Sequence, residues 1–344
     1  EQLDFGALGF KYRKTNVIVC SYFKDGKWSE PQAQTDFDLH FSAFAGVFHY
    51  ANSCFEGLKA FRGVDGKVRL FRPDENAKRL QRSGSHLDMA VPSEEMFIDM
   101  CLRAVKENID FLPPYGYNAS MYLRPVLIGC NPQLGIASST EVLFAIMCAP
   151  VGSYSGAASL SPGTAVIARN YDRAAPNGTG AFKLSANYAT SLHPYNMAHR
   201  QGYRELLFLD PATKTHIDEF GSSNFLAIKG NAYVTPLSDS VLPSITNKSL
   251  QTVAEDFGLK VEKRRVPVEE LAEFDEVNAC GTAVVITPVC SVDDKRRLED
   301  TEVVHTYRFG EPDKCGAISE KLYKRLRGIQ DGLEEDTHGW CLYL

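Results

Sequence analysis

The sequence is short of the patterns that assign a function at a glance. No apolar run is long enough to cross a bilayer, which argues against membrane-spanning helices. The opening Glu1-Gln2-Leu3-Asp4-Phe5-Gly6 lacks the basic and apolar regions of a signal peptide, so a cytoplasmic protein is expected. Positive charge is not in excess. Lys and Arg number 37 against 43 Asp and Glu, a net charge of −6, whereas nonspecific binding of nucleic acid calls for a basic face. The nine cysteines, at positions 20, 54, 101, 130, 148, 280, 290, 315 and 341, include no Cys-x-x-Cys pair. That spacing gives neither a zinc knuckle nor a redox couple, and the thiols read as buried and free in a reducing compartment. No metal site is expected. There is no Gly-x-x-x-x-Gly-Lys-Ser/Thr loop, no His-Glu-x-x-His and no Gly-x-Ser-x-Gly elbow, and Gly178-Thr-Gly180 lacks the third glycine of a dinucleotide fingerprint. His49, beside Tyr50, reads as a packed histidine.

What is present is ordinary for a globular enzyme: 44% apolar and 23% charged residues over a length of 344, which exceeds what one core usually serves. Two mixed helix-and-strand domains are therefore expected. The first covers residues 1–150, and the larger, cofactor-binding one covers 165–344. Between them, 151–164 is rich in Gly, Ser and Pro and reads as an interdomain loop. Phe97, Ile98, Cys101, Leu102, Val105 and Ile109 recur at helical spacing, and Ser93 is placed to cap that helix. Residues 117–128 and 141–148 read as long buried strands. Glu219 is expected just beyond one strand and before the next.

The chemistry concentrates in two places. Lys183 lies in Gly178-Thr-Gly-Ala-Phe-Lys-Leu-Ser-Ala-Asn-Tyr188, among small residues that leave room for a ring beside the amine. A lysine amine forms a Schiff base with an aldehyde. Tyr188 offers a phenol to a ring hydroxyl. Glu219 is followed by Phe220-Gly-Ser-Ser-Asn224, and a carboxylate there suits a protonated pyridine nitrogen, which makes the ring an electron sink. Two segments have the look of helix starts whose amides face an anion: Leu242-Pro-Ser-Ile-Thr246 and Cys280-Gly-Thr-Ala283. Arg79, in Asn76-Ala-Lys-Arg-Leu80, is a candidate for a charge-assisted bond to phosphate.

These segments, in this order, resemble the branched-chain amino acid aminotransferases, pyridoxal phosphate enzymes of fold type IV, over essentially the whole chain. The matching runs are His49-Tyr50, Cys54-Phe-Glu-Gly-Leu-Lys-Ala-Phe61, Arg69-Leu-Phe-Arg-Pro73, Tyr122-Leu-Arg-Pro-Val-Leu-Ile-Gly129, Phe182-Lys183, Asn187-Tyr188, Glu219-Phe-Gly-Ser-Ser-Asn224, Leu242-Pro243 and Cys280-Gly-Thr-Ala283. The likeness is greatest to the longer subgroup that includes the animal enzymes.

The resemblance implies an α+β fold of two mixed domains and a set of roles. Lys183 would bond pyridoxal 5'-phosphate and later shuttle a proton between substrate and cofactor. Glu219 would pair with the ring nitrogen and Tyr188 with the ring oxygen. Arg79, Thr282 and the amides of Ile245 and Thr246 would hold the phosphate, with Ser222 assisting near the ring. Phe10, Tyr50, Phe55, Tyr122 and Tyr154 would line the substrate pocket, with Arg124 nearby for the side chain of glutamate. Amides around Thr282 and Ala283 would take the α-carboxylate. Leu134 and Ile136 would reach in from the second subunit of a homodimer. The implied reaction exchanges the amino groups of leucine, isoleucine or valine with 2-oxoglutarate. The rivals are a D-amino acid aminotransferase or an aminodeoxychorismate lyase of the same fold, and a noncatalytic binder; Tyr122-Leu-Arg124 and His49-Tyr50 favour the branched-chain reading. The chain departs from the pattern twice. Val284-Val-Ile-Thr287 stands where the animal enzymes carry a redox Cys-x-x-Cys, and Ser185-Ala186 replaces a pair of glycines.

Overall fold

The computed structural model describes residues 3–152 and 160–344, so Tyr154 and half of the expected interdomain loop lie outside the described residues. The chain divides into two compact units: Glu1–Gly156 with Phe182–Ala186 and Gly328–Leu344, and Ala157–Ala181 with Asn187–Arg327.

The first unit is built on an antiparallel sheet. At its centre, Ser120–Gly129 pairs with Val142–Val151 over ten residues each, in register from Ser120 opposite Val151 to Gly129 opposite Val142. Inward residues alternate along Ser120–Gly129, as the two-residue period of a strand requires. Ile18–Lys24 extends the sheet on one side; Leu58–Arg62, Val68–Phe71 and Cys341–Tyr343 extend it on the other. Two helices, Pro73–His86 and Glu94–Glu107, supply Leu80, Phe97, Met100, Cys101 and Val105 to a core shared with Leu123, Leu127, Phe144 and Ile146. The Glu94–Glu107 helix starts where its sequence signals it: Ser93 Oγ accepts from the Met96 N–H, and Glu94 and Glu95 favour the positive end of the helix dipole.

The second unit contains a mixed sheet. Gly163–Ile167 runs parallel to both Glu205–Leu209 and Val285–Asp294, while His216–Phe220, Asn224–Lys229, Ala232–Pro236 and Glu276–Gly281 form antiparallel neighbours around them. Phe220, Phe225, Val234, Val277 and Val289 fill one side. The helix Ile245–Asp256 follows, capped by Ser244 Oγ on the Asn247 N–H.

The units differ from the expected 165–344 division in two segments. The tail from Gly328 belongs to the first unit because Cys341–Tyr343 pairs with Val68–Phe71 and the Asp331 carbonyl accepts from the Val64 N–H. Phe182–Ala186 belongs there because Leu184 bridges Cys54 and is buried; burying a leucine contributes about 2 kcal/mol. All nine cysteines are free, six of them buried and Cys290, Cys315 and Cys341 partly so. Among the described residues, no helix is long and apolar enough to cross a membrane.

Candidate active site

Lys183 stands at one end of a connected set of side chains within the first unit. Its Nζ lies 4.8 Å from the Phe55 ring centroid. The Arg124 guanidinium lies 4.7 Å from the same ring and 5.3 Å from that of Tyr122, and its Nη2 donates to Tyr122 Oη at 3.2 Å. Tyr122 in turn meets Phe10 edge to face at 5.1 Å. Phe10, Phe55, the strand pair Tyr122 and Arg124, and Lys183 come from four stretches of chain, brought together by the long central strand. A glycine is required here: a Cβ on Gly57 would overlap Tyr122 Oη. This box joins rings with one guanidinium, so it can receive an apolar side chain or a carboxylate.

Tyr50, 37% exposed, donates from Oη to the Leu134 carbonyl. Leu134 and Ile136 are themselves 81% and 88% exposed, an apolar pair in solvent. His49 corrects an expectation. It is exposed rather than packed, because its helix, Gly46–Tyr50, turns that side chain outward; its Nε2 bonds the Ala43 carbonyl at 2.8 Å.

Arg79 is almost fully buried on the Pro73–His86 helix and makes a two-pronged pair with Glu56: Nε to Oε1 and Nη2 to Oε2, both 2.7 Å. Asn76 Nδ2 donates to the same carboxylate at 2.7 Å. Planar pairing of this kind fixes the guanidinium in orientation as well as in charge.

In the second unit, Glu219 does not lie beyond its strand. It is within His216–Phe220, opposite Asn224, and is 3% exposed. The correction has a simple cause: four successive buried residues, Ile217 to Phe220, hide the alternation that marks a strand end. Its Oε1 lies 2.8 Å from Arg173 Nη2 and accepts from the Leu242 N–H at 3.0 Å; its Oε2 accepts from Asn224 Nδ2 at 3.0 Å. Burial pushes the carboxyl pKa up, and Arg173 and the Leu242 amide oppose that rise. Asn224 Oδ1 accepts from Asn247 Nδ2, which also donates to Thr235 Oγ1, while Asn247 Oδ1 accepts from Tyr233 Oη. A buried network therefore ties Glu219 to the first turn of Ile245–Asp256, where Ile245 and Thr246 are buried. Arg173 also donates to the Gly180 and Ser240 carbonyls. No motif marks Arg173; a lone arginine in a loop carries no signal in sequence.

Tyr188 lies partly buried in the short helix Ser185–Ala189, and Ser222 is exposed after Phe220. Thr282 and Ala283 require a further correction. They occupy a tight turn between the paired strands Glu276–Gly281 and Val285–Asp294, not a helix start. Small residues suit both, and the register that closes the hairpin lies outside the motif. A cavity of about 480 Å³, lined by Asp65, Arg69, Gly332, Asp336 and Tyr343 among others, contains none of these residues.

These groups suit amino-group chemistry: a lysine amine beside an aromatic box with one guanidinium in the first unit, and a buried glutamate tied to a helix start in the second. The sequence comparisons agree: the model of the amino-transferase class IV family matches residues 53–292. The chain is 43% identical to a branched-chain-amino-acid aminotransferase of Helicobacter pylori, covering 99% of this chain and 97% of that one, and 41% identical to one of Haemophilus influenzae, covering 99% of each. The chain thus belongs to the class IV aminotransferases and, among them, to the branched-chain-amino-acid aminotransferase family. In structure it is similar to the Escherichia coli branched-chain amino acid aminotransferase, with a TM-score of 0.76 at 28% identity over 95% of this chain and 99% of that one. The fold is shared with a second branched-chain amino acid aminotransferase, from T.th., solved with pyridoxamine 5'-phosphate (TM-score 0.78, 22% identity, 96% and 99% covered).

Proposed function

We propose that the protein catalyses reversible, ping-pong transfer of the amino group of L-leucine, L-isoleucine and L-valine to 2-oxoglutarate, with pyridoxal 5'-phosphate as cofactor. The observation that carries this reading is the Lys183 amine beside Phe55, in one cluster with Tyr122, Phe10 and Arg124. The donor set fits the cofactor. A buried carboxylate already holding two N–H donors, Glu219, suits a protonated ring nitrogen; an amine suits the aldehyde; buried first-turn residues Ile245 and Thr246 suit a phosphate. When bound, the cofactor ring accepts the electron pair released at the substrate Cα.

The chain's own residues do the rest. Lys183 would take the proton from the substrate Cα and pass it to the cofactor carbon that carries the amino nitrogen. Glu219 would keep the ring nitrogen protonated, and Tyr188 would bond the ring oxygen. Arg79, oriented by Glu56, and Thr282 with Ile245 and Thr246 would hold the phosphate, and Ser222 would assist near the ring. Phe10, Tyr50, Phe55, Tyr122 and Tyr154 receive the branched side chain. Arg124 and the Tyr122 phenol receive the second carboxylate of glutamate, and the turn at Thr282 and Ala283 receives the α-carboxylate. Exposed Leu134 and Ile136 support a homodimer in which they complete the partner's pocket. Nine unpaired thiols suit the cytoplasm.

Steady-state rates with L-leucine, L-isoleucine, L-valine, D-alanine and aminodeoxychorismate test the reading. Turnover is expected with the three L-amino acids and 2-oxoglutarate, and Lys183→Ala should abolish it. Turnover restricted to D-alanine or aminodeoxychorismate, or multiple turnovers by the lysine variant, would overturn it.

A further inference from the structure

Both backbone polar groups of Lys183 are paired within the first unit. Its N–H donates to Ser83 Oγ at 2.9 Å, from a residue 100 positions earlier. Its carbonyl accepts from the Phe55 N–H at 3.2 Å. On one side, Phe182 stacks on His86 with centroids 3.9 Å apart. On the other, Leu184 bridges Cys54, and Ser185 Oγ accepts from Ser53 Oγ at 2.7 Å.

Ser83 is wholly buried on the Pro73–His86 helix, four residues after Arg79. Residues four apart share a helix face. One face therefore carries both the guanidinium oriented by Glu56 and the hydroxyl that holds the lysine. A serine inside a helix usually bonds its own helix four residues back or faces solvent. Ser83 instead reaches another segment of chain.

We propose that Ser83 is a positioning residue for Lys183, assisted by the Ser53–Ser185 bond: it sets the lysine backbone and hence the point from which the amine projects. This rests on the aminotransferase reading and deepens it. A lysine stem has four rotatable bonds, so a small shift at Cα becomes a larger one at Nζ. Misplacing a reacting group by about 1 Å costs on the order of a hundredfold in rate. Pairing the backbone at N–H and C=O removes that freedom where it originates.

Three variants test this in the full chain: Ser83→Ala, Ser83→Thr and Ser185→Gly. Ser83→Ala should lower kcat about tenfold, equivalent to about 1.4 kcal/mol, with the KM for leucine changed less than about twofold. The pH at which the visible absorption of added pyridoxal phosphate titrates should move by about one unit. Amide hydrogen exchange of the peptide containing Lys183 should quicken about tenfold, with or without the cofactor. Ser83→Thr, which keeps the hydroxyl, should restore all three, and Ser185→Gly should show smaller changes in the same direction. A Ser83→Ala protein that merely melts earlier, with kcat, titration and exchange as in the parent, would overturn the proposal. If the parent chain develops no visible absorption with pyridoxal phosphate, the aminotransferase reading fails. Hydrogen exchange then still decides whether Ser83 fixes the lysine.

Discussion

Glu219 and Arg173 form a buried ion pair, Oε1 to Nη2 at 2.8 Å, with side chains 4% and 11% exposed. Arg173 opposes the rise in the carboxyl pKa that burial imposes, and so helps keep Glu219 charged. Arg173→Met should leave that carboxylate without its cation. Removing one partner of a buried pair costs about 3–5 kcal/mol, so urea unfolding should show a loss of that order. The double variant Arg173→Met/Glu219→Gln should recover part of the stability and none of the activity. A loss in the double variant equal to the sum of the losses in the two single variants would show that the two residues do not act as a pair.

The Tyr122 phenol and Arg124 face one carboxylate-sized problem together. Tyr122→Phe removes the hydroxyl that accepts from Arg124 and leaves the ring that meets Phe10. A hydrogen bond to a charged group is worth about 1.5–3 kcal/mol. The KM for 2-oxoglutarate should therefore rise at least about tenfold, by the relation of about 1.4 kcal/mol to each factor of ten, while that for leucine stays within about threefold. A parallel rise in both would mean that the phenol only shapes the pocket.

Glu205 offers a test in pH. It stands partly buried on Glu205–Leu209, and burial pushes its carboxyl up to about 7, with Arg204 opposing. A carboxyl whose folded pKa lies above its unfolded value holds its proton longer in the folded state. Stability should therefore fall as the pH rises from the unfolded value near 4.5 through about 7, and remain reduced above that. Glu205→Gln should gain on the order of 1–3 kcal/mol at pH 8 relative to the parent, and little at pH 4. Chemical denaturation at the two pH values measures the difference. A gain of equal size at both would exclude the titration of Glu205 as its cause.

Local signals in the chain proved reliable where the physics is local. The Ser93 cap, the acidic first turn and the spacing from Phe97 to Val105 mark a helix, and Glu94–Glu107 is one. The long strands around Tyr122 and Phe144 follow from their runs of apolar and β-branched residues. The failures are of another kind. Gly281-Thr-Ala283 has small residues that suit a helix start or a turn, and the pairing of Gly281 with Val285 decides between them. Arg173 carries no motif, and Glu56 lies in the matched run Cys54–Phe61 with no role assigned there, because each acquires its role from a partner 46 or 23 residues away. The capture of Phe182–Ala186 by the first unit depends on Ser83, Ser53 and Cys54, and no window around Lys183 contains them.

The return of Cys341–Tyr343 to Val68–Phe71 sets a timetable for synthesis. A ribosome delivers the chain in order, and domains tend to fold as they emerge. The first unit cannot follow that habit to the end. Its sheet waits for an edge strand about 270 residues downstream, and its lysine segment arrives only after the second unit's chain has begun. Until then the Val68–Phe71 edge is open to other strands, a standing invitation to misassembly. Overproduction at low temperature, or with chaperones that shield nascent chains, should therefore improve the soluble yield more than changes near the active site would.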